Sequence, residues 1–115
     1  MAAKKTTKKP ARAKVAAPRA VLVGNSSYGL YIGYTSATDT EILKDKSVRL
    51  EKCRHVAYWC GKTGGITSLA AHGPCGPRAH ESRVGSPVNG LVTGIVNVFD
   101  LTEEAIAAFA TIAPK

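Results

Sequence analysis

The chain has 115 residues, room for one small domain and one modest core, and its 16 Lys and Arg against 8 Asp and Glu give a net charge of +8. An excess of that sign points towards a polyanionic partner. No run approaches the roughly 20 apolar residues of a membrane-spanning helix, and none supplies the apolar core of about 7 to 15 residues of a secretory signal, so a protein acting where it is made is expected.

Almost all of the charge lies at one end. Residues 1–19 hold Lys4, Lys5, Lys8, Lys9, Arg12, Lys14 and Arg19 and no acid, whereas residues 20–115 hold nine basic and eight acidic side chains and are nearly neutral. The first segment is built from Lys, Ala, Thr, Arg and Pro, with Val15 its one large aliphatic side chain after Met1. It cannot bury enough apolar surface to offset the entropy of ordering, and Pro10 and Pro18 oppose a helix. The sequence therefore predicts a disordered basic arm, 1–19, and a single domain, 20–115. The seven cations are the candidate contacts for nucleic acid or another polyanion, whose phosphates would be neutralised in a salt-dependent, sequence-blind way. The same composition would serve as a solubilising or targeting tail, or as an arm laid over a neighbouring protein subunit.

Within the domain, residues 20–24 (AVLVG) form a continuous apolar run suited to a buried strand, and residues 29–35 (GLYIGYT) resume a strand after the turn residues Asn25, Ser26 and Ser27. A β-hairpin is expected. Tyr28, Tyr31 and Tyr34 do not form a base-stacking platform, because Tyr31 projects oppositely to the other two in a regular strand; structural tyrosines are the simpler reading. Residues 40–43 (TEIL) read as a short strand, and 44–47 as a turn. Val48, Leu50, Val56 and Tyr58 are inward candidates, but residues 49–54 (RLEKCR) allow two parities between which the pattern does not choose.

A strand at 53–59 then breaks at the glycines of 61–65, and a short helix at 66–71 with Ile66 and Leu69 on its core side stops at His72, Gly73 and Pro74. The turn-rich stretch 74–85 includes a candidate strand at 79–84, and 93–99 (TGIVNVF) reads as the last strand. A terminal helix follows. Asp100 or Thr102 would cap it, Glu103 and Glu104 sit at the positive end of its dipole, and Ile106, Phe109 and Ile112 form its apolar stripe. Five or six short strands with one internal and one terminal helix make a small β-rich α+β domain, a strongly bent sheet or open barrel.

Chemistry-bearing residues concentrate at 49–74. Cys53, His55, Cys60, His72 and Cys75 are of the types that bind zinc, but their spacing fits no zinc knuckle, so neither metal nor cofactor is expected and the thiols read as reduced, small hydrophobes. Cys75 beside His72 and His80 lacks an acid to orient either imidazole, and 61–65 (GKTGG) lacks the order of a phosphate-binding loop; a tight turn is the simpler reading. With no catalytic constellation, a non-enzyme is expected. Arg54, Tyr58, Trp59 and Lys62 form the candidate small-ligand pocket, with packing of Tyr58 and Trp59 as the structural alternative.

The order of these segments resembles a family of small proteins of unknown function encoded by tailed bacteriophages and prophages. The likeness rests on the Gly29-to-Gly33 G-x-x-x-G strand, the segment 54–59 (RHVAYW), the helix turn 68–73 (SLAAHG), and the late strand feeding an acidic-capped helix across 92–109. It covers residues 20 to 110, and departs from the family in the cysteines and in 73–81 (GPCGPRAHE). The resemblance implies a phage origin and a non-enzymatic accessory role in the host cytoplasm or in the virion. Its partners would be nucleic acid or a phage structural protein, met through the arm, and self-association would support so small a core.

Overall fold

A computed structural model describes residues 18–27, 29–59 and 65–115. Lys4, Lys5, Lys8, Lys9, Arg12 and Lys14 of the expected arm, Tyr28, Cys60, and residues 61–64 with Lys62 lie outside the described residues.

The hairpin forms where the two apolar runs place it. Strand β1 (Arg19–Asn25) pairs antiparallel with β2 (Leu30–Thr35), Leu22 opposite Ile32 and Val23 opposite Tyr31. Asn25 makes the turn: its side-chain oxygen accepts from the amides of Ser27 (3.1 Å) and Gly29 (2.8 Å). Arg19, grouped with the arm by its charge, is the first residue of β1. It donates to Asp100 at 2.8 Å, to Asp39 at 2.6 Å and to the Ala37 carbonyl at 3.1 Å, and the bond to Asp39 holds its guanidinium firmly in the charged form.

Residues 40–43, expected as a strand, lie instead in helix α1 (Asp39–Asp45). The reason is local. Thr38 and Glu41 form a capping box, in which the Glu41 amide donates to Thr38 Oγ1 at 3.1 Å and the Thr38 amide to Glu41 Oε1 at 2.9 Å. The helix ends at Lys46, whose φ of 54° is left-handed and whose amide returns to the Ile42 carbonyl at 2.7 Å. Lys46→Gly is expected to stabilise the fold by about 0.5 to 1 kcal/mol, since glycine adopts this cap geometry without the Cβ penalty; urea unfolding would measure it, and an unchanged or lower midpoint would refute it.

Strand β3 (Ser47–Tyr58) is the twelve-residue spine of the sheet. One edge pairs with β2; the other pairs with β5 (Val88–Thr93) along its first half and with the two-residue β4 (Arg83–Val84) along its second. The ambiguous stretch 49–54 is a bulge inside this strand. Lys52 takes a φ of 53°, and both flanking ladders slip there. Parity changes as a result: Val48, Leu50 and Cys53 share one core cluster while Val56 joins the other. Tyr58, expected inward, is 51% exposed.

Beyond β3, helix α2 (Ile66–His72) buries Leu69 and stops at Gly73, as its sequence predicts. The strand expected at 79–84 is reduced to β4. A 3-10 turn over Ala79–Glu81 takes up the preceding residues, with the Ser82 amide bonded to Ala79 O at 3.0 Å. The strand expected at 93–99 is β6 (Ile95–Asp100), and a further strand, β5, precedes it, the two parted at Gly94 with φ 67°. β5 lies beside β3 and β6 beside β1, so the chain crosses at this glycine from one side of the sheet to the other. The Gly94 carbonyl accepts from the Ser26 amide at 2.8 Å, and the Ile95 amide donates to Lys46 O at 3.0 Å, which pins the crossing in place.

Among the described residues the product is an open, six-stranded antiparallel sheet in the order β4-β3-β2-β1-β6, with β5 also on β3, and three α-helices: a small α+β fold. Around β1 both faces of the sheet are buried, which is why the β1 run is apolar throughout rather than alternating. Val21, Val23, Ile42, Leu50, Val92 and Ile95 pack on the α1 side; Leu22, Ile32, Val56, Leu69, Val84, Phe109 and Ile112 pack on the other. That second face is covered by α2 and by α3 (Glu103–Ala110). Thr102 caps α3 by accepting from the Ala105 amide at 3.1 Å, and its hydroxyl donates to the Ala71 carbonyl, so one residue starts α3 and ties it to the end of α2. Asp100, the other candidate cap, is held by Arg19.

Candidate functional site

The bulge in β3 and the last turns of α3 enclose a cleft of about 180 Å³. Ile32 and Gly33 of β2 line its floor, and Ile106, Phe109 and Ala110 of α3 its wall. Glycine is required at position 33 by proximity: a Cβ there would stand 2.9 Å from Leu50 Cβ and 3.1 Å from Glu51 O, where β3 bulges against β2. Lys52 and Arg54, two residues apart on β3, supply the polar rim.

Arg54 is also a staple. Its Nε donates to Gly85 O at 2.7 Å, Nη1 to Phe109 O at 2.9 Å, and Nη2 to Val84 O at 3.4 Å and Ile112 O at 2.7 Å. One guanidinium thus satisfies the carbonyls that end α3, where the helix dipole is negative, together with those of β4 and the residue after it. Burial pushes Arg54 below its ordinary pKa, and among the described residues no carboxylate pairs with it. Four of its five N–H groups are used in this way.

Tyr58 and Trp59, also expected in a ligand pocket, are placed elsewhere. Tyr58 lies four residues along β3, about 13 Å at strand rise, and lines a separate shallow depression with Glu81, Arg83 and Lys115. Trp59 is half-buried and packs against the cluster around Leu22 and Phe109. Lys62 lies outside the described residues. Arg54 is therefore the only one of the four that borders the cleft among the described residues, and Lys52 and the α3 wall are the partners that sequence reasoning passed over. The signal for Lys52 was the unresolved parity of 49–54, since a stretch that fits both faces is where a bulge belongs.

Among the described residues cysteine and histidine do not assemble. Cys53 is buried, which pushes its thiol pKa up, and His55 stacks on Tyr31 with ring centroids 5.0 Å apart. His72 Nδ1 lies 3.1 Å from Glu104 at the surface. Among the described residues no three of His, Cys, Asp and Glu gather as metal ligands, and no helix is long and apolar enough to cross a membrane.

No curated protein and no solved structure matches the chain. One family does, over residues 18–109, a span that starts just before β1, ends inside α3, and takes in the hairpin, the β3 bulge and most of the cleft wall. The chain belongs to the family described as a domain of unknown function, DUF6948.

Proposed function

We propose that this is a non-catalytic binding protein whose basic segment, residues 1–18, contacts nucleic acid or a comparable polyanion, and whose nearly neutral domain is the body that carries it. The observation that supports this most is the division of positive charge. Three arginines of the described domain are turned inward or onto their own chain: Arg19 to Asp39 and Asp100, Arg54 to backbone carbonyls, and Arg78 to Glu81 at 2.6 Å. Lys4, Lys5, Lys8, Lys9, Arg12 and Lys14, with no acid among them, are the densest run of positive charge in the sequence.

Fluorescence anisotropy of the full chain on a short DNA duplex tests this. With six phosphates neutralised, affinity is expected to fall about 10³-fold between roughly 50 and 200 mM salt, and a variant with those six side chains changed to serine to lose both affinity and salt slope. Equal binding by the variant, or no binding at the lower salt, would refute the reading.

A second reading is supported by the exposed apolar side chains Val88, Leu91 and Val96 on β5 and β6, which suit contact between subunits. On that reading the protein is a virion component with its basic segment laid on a neighbour, in keeping with the resemblance to tailed-phage proteins. Mass spectrometry of purified particles would find it in stoichiometric amounts.

A further inference from the structure

We propose that the cleft beside α3 binds a small carboxylate with a ring-sized apolar body. This does not rest on the proposed role of the basic segment, and the described lining of the cleft comes from the domain.

The size and lining set the class of ligand. A cavity of about 150 Å³ walled by aliphatic and aromatic side chains accommodates a benzene-sized group, and this cleft offers about 180 Å³ between Ile32, Leu101, Ile106 and Phe109. The charge at the rim sets the head group. Lys52 and Arg54 both border the cleft, no Asp or Glu lines it, and neither cation has an ion-pair partner among the described residues. Arg54 retains one Nη1 N–H beyond its four carbonyl bonds, and Lys52 retains its whole ammonium.

The rim is also held in place. Lys52 keeps a left-handed φ of 53° that a lysine adopts only at a cost, and its amide is anchored to Asn89 Oδ1 at 3.2 Å. Arg54 is fixed by four backbone acceptors drawn from β4, the residue after it, and the end of α3. One fixed guanidinium and one ammonium on an anchored backbone, over an apolar floor, match a single carboxylate attached to a ring, with the ring against Phe109 and Ile32 and the carboxylate towards Lys52.

The test uses the ¹⁵N-labelled full chain titrated with phenylacetate and, separately, with its neutral analogue phenylacetamide. Saturable shifts are expected at the amides of Gly33, Lys52, Ile106 and Ala110, with phenylacetate binding about tenfold more tightly, the worth of one charge-assisted hydrogen bond. Lys52→Met should remove that tenfold preference while keeping phenylacetamide binding, and Ala110→Trp, on the exposed end of α3, should block both by filling the cleft. Shifts that fail to saturate by about 10 mM, where even millimolar affinity would show, overturn the proposal. So does a carboxylate preference that survives in Lys52→Met, or binding that survives in a folded Ala110→Trp variant.

Discussion

Replacing Arg54 with methionine is expected to destabilise the full chain by about 2 to 4 kcal/mol, because a charged donor leaves the Gly85 and Ile112 carbonyls, while Phe109 O and Val84 O keep the amides of Ile112 and Lys115. Methionine fills much the same volume and keeps the apolar contacts of the stem, so the loss isolates the hydrogen bonds. Phe109, Ile112 and Val84, whose carbonyls it serves, are all buried residues, and water does not readily replace the guanidinium there. Arg54→Lys should recover less than half of the loss, since a point-like ammonium cannot span four acceptors that a planar fork reaches together. Urea unfolding followed by circular dichroism gives both values. As a control, Arg49→Met at an exposed position of β3 should stay within about 0.5 kcal/mol of the parent. A loss below about 1 kcal/mol for Arg54→Met would mean that the end of α3 finds other partners.

Gly73→Val is expected to cost about 3 to 5 kcal/mol, from backbone strain and overpacking acting together. Gly73 ends α2 with φ at 69°, a region that a β-branched residue enters only under strain. A Cβ at this position would stand 2.7 Å from Ala108 Cβ and 3.0 Å from the Ala105 carbonyl oxygen. The second contact is with backbone, so no side-chain rotation relieves it, and α3 must move away from α2. The Thr102 hydroxyl bond to Ala71 would break with that movement, and the α3 wall of the cleft would shift. Thermal unfolding should show a lower midpoint, and the amides of residues 102–110 should exchange faster with solvent. A midpoint within a degree or two of the parent would show that α3 is not seated directly on the end of α2.

These two residues were unequally visible in the sequence. Gly73 followed by Pro74 announces a helix stop by chemistry alone, and the short helix it ends is where the pattern places it. Arg54 carries no such mark, because its partners are carbonyls of Val84, Gly85, Phe109 and Ile112, which are 30 to 58 residues away. Sequence reasoning assigned it to a ligand pocket with Tyr58 and Trp59; the structure places it at a cleft with Lys52 instead. The helix at Asp39–Asp45 was missed for a different reason: four residues of mixed polarity resemble a strand unless the Thr38 and Glu41 capping pair is given its weight.

Local chemistry written in the chain determined the hairpin around Asn25, the helix that ends at Gly73, the capped α3, the concentration of positive charge in residues 1–19 and the small α+β class. Those features depend on dihedral preferences, caps and alternation over a few neighbours, which a linear string carries in full. The crossing at Gly94, the parity change at Lys52, the clamp of Arg19 and the cleft itself were decided by tertiary structure. Each depends on distant backbone arriving at one point, and the apolar pattern of β3 is compatible with either face until β2, β4 and β5 have taken their places beside it.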